Sequence, residues 1–248
     1  MKVKELVKRC FLTCDQKSYA QFMRRLKLLE KEPALTATDG AIKFSGWLNS
    51  LIGKRLGVLI ASKLTDRSDK IARQISPYIP SWSNVLDFGC GDGIVGQKIS
   101  GFARVSLADV VNYNRTNLPF SLFDGKSLSL KDESFDRVLL LTVLHHAKDP
   151  LATLMEATRV CKIGGKLIVI ESIYFNQPHK IFNRFADWLY NNVFNDPRIP
   201  VPWNFMTAGG WEILFKEFGL KTVEMVHLGI DQPIVPEWHV LFVLEKTS

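Results

Sequence analysis

The sequence predicts an α/β fold, in which a mostly parallel sheet is covered by helices on both faces. From about residue 66 onward, short apolar runs of strand length alternate with stretches of helical period. The chain has 248 residues, 46% of them hydrophobic and 23% charged, which is an ordinary composition for a globular protein with a sizeable core. Residues 1–65 differ, because they show only helical periodicity. We therefore expect an α/β domain over 66–248 that is preceded by a helical cap.

The strands and helices of the predicted sheet follow from the hydrophobic pattern. Four apolar runs are predicted to be strands, with a helix after the first and another after the third. Near the end of the chain, a helix stopped by a glycine precedes two runs that form a hairpin. The predicted ranges are Asn84–Phe88, Val105–Asp109, Arg137–Val143 and Lys166–Glu171 for the strands, Asp92–Ser100, Leu151–Cys161 and Trp211–Phe218 for the helices, and Lys221–Leu228 with His239–Glu245 for the hairpin.

The second of these helices carries clear signals at both ends. Asp149 can cap its start, and Pro150 suits the first helical position because that residue needs no N–H partner. The pair Gly164 and Gly165 is predicted to close the helix.

Positive charge is concentrated at the beginning of the chain. Residues 1–73 hold 16 Lys and Arg against 7 Asp and Glu, whereas the remaining residues hold 16 against 18, and the total is +7. A basic helical cap can serve an anionic membrane surface, an RNA or an acidic partner, or it can be an ordinary solvated face. We expect peripheral contact with an anionic membrane through 1–65 as one of these alternatives.

Other features predict a reduced, cytoplasmic protein. No apolar run approaches the 18 residues of a transmembrane helix, and Lys8 with Arg9 interrupts the apolar stretch that a signal peptide needs. The four cysteines form no CxxC pair, which favours neither a disulfide framework nor a metal centre. No metal site is predicted.

A glycine-rich turn after the first strand is the most informative motif. Residues 85–93 read VLDFGCGDG, a strand that runs into a turn and then a helix. Gly89, Gly91 and Gly93 allow the backbone to approach a ligand closely at the carboxyl end of the sheet. Residues 91–96 also match G-x-G-x-x-G, which alone is weak support for NAD.

The acidic residues of this motif argue against a dinucleotide. Asp87 ends the strand and Asp92 lies in the turn, where two carboxylates would repel a pyrophosphate. A cofactor with an ammonium, a sulfonium and no phosphate fits better, and S-adenosylmethionine is such a molecule. An NAD(P)-dependent oxidoreductase remains the alternative.

In these residues the chain resembles the class I S-adenosylmethionine-dependent methyltransferases, whose first motif is similar to VLDFGCGDG. The resemblance covers roughly residues 66–248 and includes Phe135-Asp136 before the third predicted strand and Gly164-Gly165 before the fourth. It implies a Rossmann-like, seven-stranded, mostly parallel sheet with an antiparallel terminal hairpin. By the same resemblance, the residues that bind S-adenosylmethionine are Asp87, Gly89, Gly91 and Gly93 in the turn, Asp109 at the ribose, Asp124 and Gly125 at the adenine, and Thr142 in the loop that closes over the cofactor.

Two of these residues also have plain structural interpretations. Asp109 can be an ordinary strand-end residue, and Asp124 can belong to a simple Asp-Gly turn. Both alternatives stay open at the level of the sequence.

The candidate catalytic residues are His146 and His145, in the loop after the third predicted strand. A neutral imidazole can take a proton from a hydroxyl or an acidic carbon near neutral pH, which O- or C-methylation requires. Of the two, His146 is the preferred base. The alternative is that both residues shape the loop.

The segment 172–207 is an insertion in which such enzymes often build the acceptor pocket. Ile181, Phe185 and Trp188 form an apolar helical stripe that predicts either a lid over a small or lipid-like acceptor or the packing of an inserted helix. Nucleic acid is an unlikely partner, because no Asn/Asp-Pro-Pro-aromatic motif occurs, although the basic cap keeps an RNA methyltransferase as a minor alternative. A non-catalytic protein that binds S-adenosylmethionine is a further alternative.

Overall fold

The computed structural model describes residues 67–189, 202–230 and 237–247. The predicted helical cap of residues 1–65 and residues 190–201 of the predicted insertion lie outside the described residues. The division of the chain into a cap and a catalytic domain therefore stays a prediction.

One seven-stranded sheet organises the described residues. Its strand order is β3-β2-β1-β4-β5-β7-β6; the first five strands are parallel, whereas β7 runs antiparallel to both β5 and β6. The predicted mostly parallel sheet with an antiparallel terminal hairpin is thus confirmed. The strands are β1 (Asn84–Phe88), β2 (Arg104–Asp109), β3 (Phe120–Leu122), β4 (Phe135–Leu141), β5 (Cys161–Ile173), β6 (Leu220–Ile230) and β7 (Trp238–Lys246).

Helices connect the strands and cover the sheet. None of the helices within the described ranges combines the length and the apolar character that a membrane crossing demands. The helices are α1 (67–75, followed by a 3-10 turn at Ser76–Tyr78), α2 (Ile94–Ile99), α3 (Pro150–Val160), α4 (Gln177–Leu189) and α5 (Ala208–Glu217).

The core consists of two apolar layers, one on each face of the sheet. Successive residues of β4 alternate between them: Val138 and Leu140 pack in one layer, and Leu139 packs in the other. This alternation follows from the two-residue period of a strand and explains why the central strands are apolar throughout. The first layer includes Leu154 of α3 with Trp211 and Phe215 of α5, and the second includes Ile71 and Ile75 of α1 with Ile99 of α2.

The sequence predicted the bounds of α3 closely, but it misassigned the residues that follow the helix. Asp149 caps the helix as predicted, because its side chain accepts the N–H groups of Leu151 and Ala152. The predicted end at Cys161 is confirmed to within one residue, but the prediction that Gly164 and Gly165 close the helix is wrong. The helix ends at Val160 and β5 begins at once, so the glycines lie inside the strand, where the register with β4 shifts.

The parallel strands bring four chain segments to one edge of the sheet. Asp87 near the end of β1 lies between Leu107 of β2 and Leu139 of β4, and Leu141 at the end of β4 pairs with Ile170 of β5. The loops that leave β1, β2 and β4, together with the last residues of β5, therefore meet along this edge, which is where open α/β sheets bind ligands.

Candidate functional site

The glycine turn after β1 lies beside a buried carboxylate, one oxygen of which has no hydrogen-bond partner among the described residues. Asp87 is buried, and its Oδ2 atom has no hydrogen-bond donor among the described residues. Burial, together with the nearby charge of Asp109, raises the pKa of Asp87 to about 7. Room for this carboxylate comes from Gly96 of α2, where an added Cβ would lie 3.1 Å from Oδ2. Such a group is suited to a cationic ligand.

Gly89 is the point at which the turn touches the loop after β4. It has a φ of +81°, and an added Cβ would lie 2.4 Å from Val143 Cγ2. No real Cβ tolerates that distance, so glycine is required here both for its conformation and for the close approach of Val143. Gly91 and Gly93 also have positive φ values, and Gly91 has open space where its Cβ would be.

Asp109 ends β2 and holds the turn in place. Its Oδ2 atom accepts the N–H of Gly91 at 2.8 Å, and its Oδ1 atom accepts the N–H of Val110 at 2.7 Å. Burial raises the pKa of Asp109, and these backbone hydrogen bonds oppose the increase. Asp109 is thus more than an ordinary strand end, because it fixes the turn against β2.

The structure places Asp124 and Gly125 in an exposed turn shortly after β3. Asp124 Oδ1 accepts the N–H groups of Lys126 and Ser127, both at 2.8 Å, and these hydrogen bonds lower the pKa of Asp124. Gly125 has a φ of +87°. The carboxylate therefore shapes an Asp-Gly turn, and contact with an adenine stays a prediction.

Thr142 opens the loop after β4 in a strained conformation. Its φ is +61°, which is unfavourable for a β-branched residue. Its N–H donates to the carbonyl of Ile170 at 2.7 Å, and its hydroxyl accepts a long bond of 3.4 Å from Arg67 of α1. These contacts hold the left-handed turn that directs the loop over the edge of the sheet.

His145 is buried and bound to a buried glutamate. Its Nδ1 atom lies 2.6 Å from Glu171 Oε2, while Glu171 Oε1 accepts the N–H groups of Val143 and Leu144. Burial raises the pKa of Glu171 to about 8 and holds that of His145 well below its ordinary value. Glu171 at the end of β5 therefore anchors three consecutive residues of the loop.

His146 is partly exposed and faces the inserted helix. Its Nε2 atom lies 3.5 Å from Oδ1 of Asp187, a buried residue of α4, and its ring centroid is 4.1 Å from that of His145. Of the two predicted catalytic histidines, His146 is thus the one that an acceptor can reach. The assignment of both residues stays a prediction.

The described side chains of the inserted helix α4 include exposed apolar residues and buried polar ones. Ile181, a member of the predicted apolar stripe, is exposed, as is Phe182. The polar residues Asn183 and Asp187, which are four positions apart on one helix face, are buried instead. The side chains of Phe185 and Trp188 lie outside the described residues.

The sequence analysis missed a second group of buried polar residues beside His145. Ser172 donates to Glu237 Oε2 at 2.7 Å and lies 3.0 Å from His239 Nε2, and the other oxygen of Glu237 has no partner among the described residues. Burial and the charge of Asp187 raise the pKa of Glu237 to about 8. The one sequence signal for this region that could have been used is Glu171, an acidic residue inside an apolar strand.

Comparison with known proteins agrees with the fold and the glycine turn. A family model described as a methyltransferase domain matches residues 60–225, well over half of the chain. A demethylmenaquinone methyltransferase of Streptomyces griseus is 29% identical over 120 residues, which are 48% of this chain and 44% of that protein. A ubiquinone biosynthesis O-methyltransferase of Parvibaculum lavamentivorans is 23% identical over 181 residues, which are 67% of this chain and 69% of that protein.

Solved structures share the architecture at low sequence identity. The YcgJ protein from Bacillus subtilis superposes with a TM-score of 0.56 at 14% identity, covering 74% of this chain and 99% of that one. The first curated relatives are matched over less than half of their own length. The predicted class and its cofactor, S-adenosylmethionine, agree with these findings. The chain belongs to the methyltransferase-domain family, with the Rossmann-like fold of the class I S-adenosylmethionine-dependent enzymes.

Proposed function

We propose that this protein transfers a methyl group from S-adenosylmethionine to a small or lipid-like acceptor, at oxygen or at carbon. The observation that carries the proposal is the buried carboxylate of Asp87, which lies beside the glycine turn. Its Oδ2 atom has no hydrogen-bond donor among the described residues. A buried carboxylate that carries charge needs a cation, and the ammonium of the cofactor's methionine end provides one.

The residues around this carboxylate fit the cofactor. The turn at Gly89, Gly91 and Gly93 lets the backbone approach the ligand, and Asp109 holds that turn at the end of β2, where a ribose hydroxyl can reach its carboxylate. Asp124 and Gly125 are assigned to the adenine end, and Thr142 is assigned to the loop that covers the cofactor. When bound, S-adenosylmethionine supplies a methyl group on a positively charged sulfur, which makes the methyl carbon open to in-line displacement.

His146 is the group that we assign to the acceptor atom. It is partly exposed, and Asp187 can orient its imidazole from a distance of 3.5 Å. An imidazole in this place can promote attack by a hydroxyl in two ways, either by taking its proton or by holding a cation that lowers the hydroxyl's pKa. His145 acts on the position of its neighbour, because it is buried and bound to Glu171.

An apolar or quinone-like acceptor is supported by two observations. The relatives include proteins named for demethylmenaquinone and for ubiquinone biosynthesis. In addition, Phe175, Ile181 and Phe182 are exposed on and next to α4, close to the acceptor side of the sheet. We further assign the basic residues 1–65 to contact with an anionic membrane from the cytoplasm, which would bring the enzyme to a lipid-like acceptor.

The rival functions are less well supported. An NAD(P)-dependent enzyme would place a pyrophosphate next to the carboxylates of Asp87 and Asp92. In the described part of the turn, no cationic side chain pairs with either carboxylate to reduce the repulsion. An RNA acceptor rests on the charge of residues 1–65 and on relatives named tRNA U34 carboxymethyltransferase, which match only 34–35% of this chain. A non-catalytic binding protein would have no use for a partly exposed His146 paired with Asp187.

The test is the formation of S-adenosylhomocysteine. Purified protein is incubated with S-adenosylmethionine and, in separate reactions, with hydroquinones and phenols that carry or lack an isoprenoid tail, with tRNA, and without acceptor. Turnover that depends on a phenolic acceptor and is lost in Asp87→Asn supports the proposal. Tight cofactor binding with no turnover on any acceptor class supports the non-catalytic alternative, and turnover on tRNA alone contradicts the assigned acceptor.

Membrane contact has a separate test. The full-length protein should bind vesicles that contain an anionic lipid and should lose that binding in high salt, because the attraction is electrostatic. Equal binding to neutral vesicles would contradict this part of the proposal.

A further inference from the structure

We propose that His145, His146 and Asp187 form a binding site for one divalent transition-metal ion, at the acceptor side of the sheet. The ion's use in methyl transfer rests on the proposed function, whereas its binding does not. The three residues come from the loop after β4 and from α4, and no sequence motif unites them.

The distances suit a common ligand. One nitrogen of each imidazole and one carboxylate oxygen all lie within 4.8 Å of one another. The closest measured pair is His146 Nε2 and Asp187 Oδ1, at 3.5 Å. Two ligand atoms with bonds of about 2.1 Å to the same ion are separated by roughly 3–4 Å, so small side-chain adjustments complete the site.

The surroundings of His145 match those of a metal-bound histidine. Glu171 Oε2 lies 2.6 Å from Nδ1, which leaves Nε2 as the atom that can bind the ion. Metal-bound histidines usually make such a bond from their other nitrogen to a carboxylate, which fixes the orientation of the ring.

The region around the three residues has unsatisfied acceptor atoms. Asn183 Oδ1, one helical turn before Asp187, is buried with no partner among the described residues, and so is Glu237 Oε1. A divalent ion held by the three residues could take such oxygens as further ligands.

The donor set identifies the class of ion. Two imidazoles and one carboxylate favour Zn²⁺, Fe²⁺, Co²⁺ or Mn²⁺ over Mg²⁺ and Ca²⁺, which prefer oxygen ligands throughout. Three protein ligands leave at least one coordination position open, as in catalytic sites. The open position predicts the class of substrate. The acceptor should carry one hydroxyl, or two neighbouring hydroxyls, that can bind the metal.

The chemistry of such a site balances without an oxidant or a reductant. Coordination lowers the pKa of the acceptor hydroxyl, and its proton leaves to solvent. The resulting oxygen forms a bond to the methyl carbon while the carbon–sulfur bond breaks, and the electron pair of that bond remains on sulfur. The metal keeps its oxidation state throughout.

The test measures metal binding apart from turnover. Tag-free, full-length protein is stripped with a chelator and titrated with Co²⁺, followed by visible absorption, and with Zn²⁺, followed by calorimetry. One equivalent of each ion should bind, and Co²⁺ should give the absorption bands of a coordinated ion. Asp187→Asn and His146→Gln should bind at least tenfold more weakly. Glu171→Gln should lose roughly 10–100-fold, because it removes the group that orients His145.

Two controls make the result decisive. His227→Gln changes an exposed histidine of β6 and should leave Co²⁺ binding unchanged, while circular dichroism reports the fold of every variant. Absence of stoichiometric Co²⁺ and Zn²⁺ binding by the wild type, or equal binding by Asp187→Asn, overturns the metal site. The affinity for S-adenosylmethionine, measured on the same samples, separates the two proposals: if it is absent while the metal binds, the proposed function fails and the metal site stands.

Discussion

The proposed cofactor side and acceptor side of this molecule both contain a buried carboxylate, but the two carboxylates differ in their hydrogen bonds. Glu171 on the acceptor side takes two backbone N–H groups and one imidazole nitrogen. Asp87 on the cofactor side has an oxygen with no donor among the described residues. A buried carboxylate whose oxygens accept hydrogen bonds contributes to the stability of the fold. One that has an oxygen without a donor costs free energy until a ligand supplies the donor. The hydrogen bonds of Glu171 hold its loop, whereas the proposed function assigns the unpartnered oxygen of Asp87 to the cofactor.

The two sides are in contact at one point. Gly89 of the glycine turn lies against Val143 of the loop that Glu171 anchors. A change at this contact should disturb both sides, whereas changes at Asp87 and at Glu171 should separate them.

The largest effect is expected for Gly89→Ala. The new Cβ would lie 2.4 Å from Val143 Cγ2, in a backbone conformation with a φ of +81°. Overpacking and strain together should lower the free energy of unfolding by about 2–4 kcal/mol. Chemical denaturation with urea measures the loss.

Gly125→Ala is the matched control for this variant. Gly125 has a φ of +87° but no atom within 4 Å of its added Cβ, so the cost is about 1–2 kcal/mol of backbone strain alone. The double variant Gly89→Ala with Val143→Ala should recover part of the difference. Equal losses at Gly89 and Gly125 would contradict the contact.

Asp87→Asn should lower the affinity for S-adenosylmethionine by roughly 10–150-fold, which is the value of a hydrogen bond to a charged group. The free energy of unfolding of the ligand-free protein should not fall, because the variant removes a buried charge that has no compensating partner. Calorimetry measures the affinity. Asp132→Asn, at an exposed carboxylate that pairs with Arg159, is the control and should bind within a few fold of the wild type; unchanged affinity in Asp87→Asn would sink the assignment of the cofactor site.

Glu171→Gln should have the opposite effect to Asp87→Asn, because it should lower stability and leave cofactor affinity nearly unchanged. It replaces an acceptor with an amide N–H group beside His145, so the free energy of unfolding should fall by about 1–3 kcal/mol. The affinity for S-adenosylmethionine should change little. Glu224→Gln, on the exposed edge strand, should stay within about 0.5 kcal/mol of the wild type. A strong loss of cofactor affinity without a loss of stability would show that the two sides are not separate.

The smallest effect is a pH dependence of cofactor binding. The pKa of Asp87 is about 7 in the folded protein, against an ordinary value of 3.8, so the folded state holds a proton between these values. Stability of the ligand-free protein should therefore fall as the pH rises from about 4 to 7. A cationic ligand binds the carboxylate form, so its affinity should rise up to about tenfold between pH 6 and pH 8.

The variant Asp87→Asn is the control for this pH dependence and should lack the rise. Asp109 and Asp92 contribute to the pKa of Asp87, so a rise that persists in Asp87→Asn would assign the titration to one of them.

The sequence predicted strand β1, the glycine turn and the helix after it well, because their signals are local in the chain. Strand β1, the glycine turn and the start of α2 occupy about a dozen consecutive residues, and their periodicity and glycine spacing are visible without tertiary information. The short strand β3 was not predicted, since three residues are too few to show a period. The role predicted for Gly164 and Gly165 in closing α3 was wrong, because the pair resembles a helix stop but lies in a strand with a register shift.

The acceptor side was only partly predicted, because its parts are distant in the chain. His145 and His146 were selected from their loop, but their partners Glu171 and Asp187 lie 26 and 41 residues away. Asp187 also lies on α4, where the sequence pattern predicted burial of the opposite helix face, which carries Ile181. In the structure, Asp187 is buried and Ile181 is exposed. Such sites depend on packing between segments, for which one sequence contains no direct signal.

The central claim is that the carboxylate of Asp87 and the glycine turn bind a cationic cofactor without a phosphate. The most direct test is a calorimetric titration of the wild-type protein with S-adenosylmethionine, S-adenosylhomocysteine and NADH in parallel. We predict binding of the first two and none of the third, with loss of the first in Asp87→Asn. Binding of NADH alone would contradict the claim and would make the protein an oxidoreductase candidate.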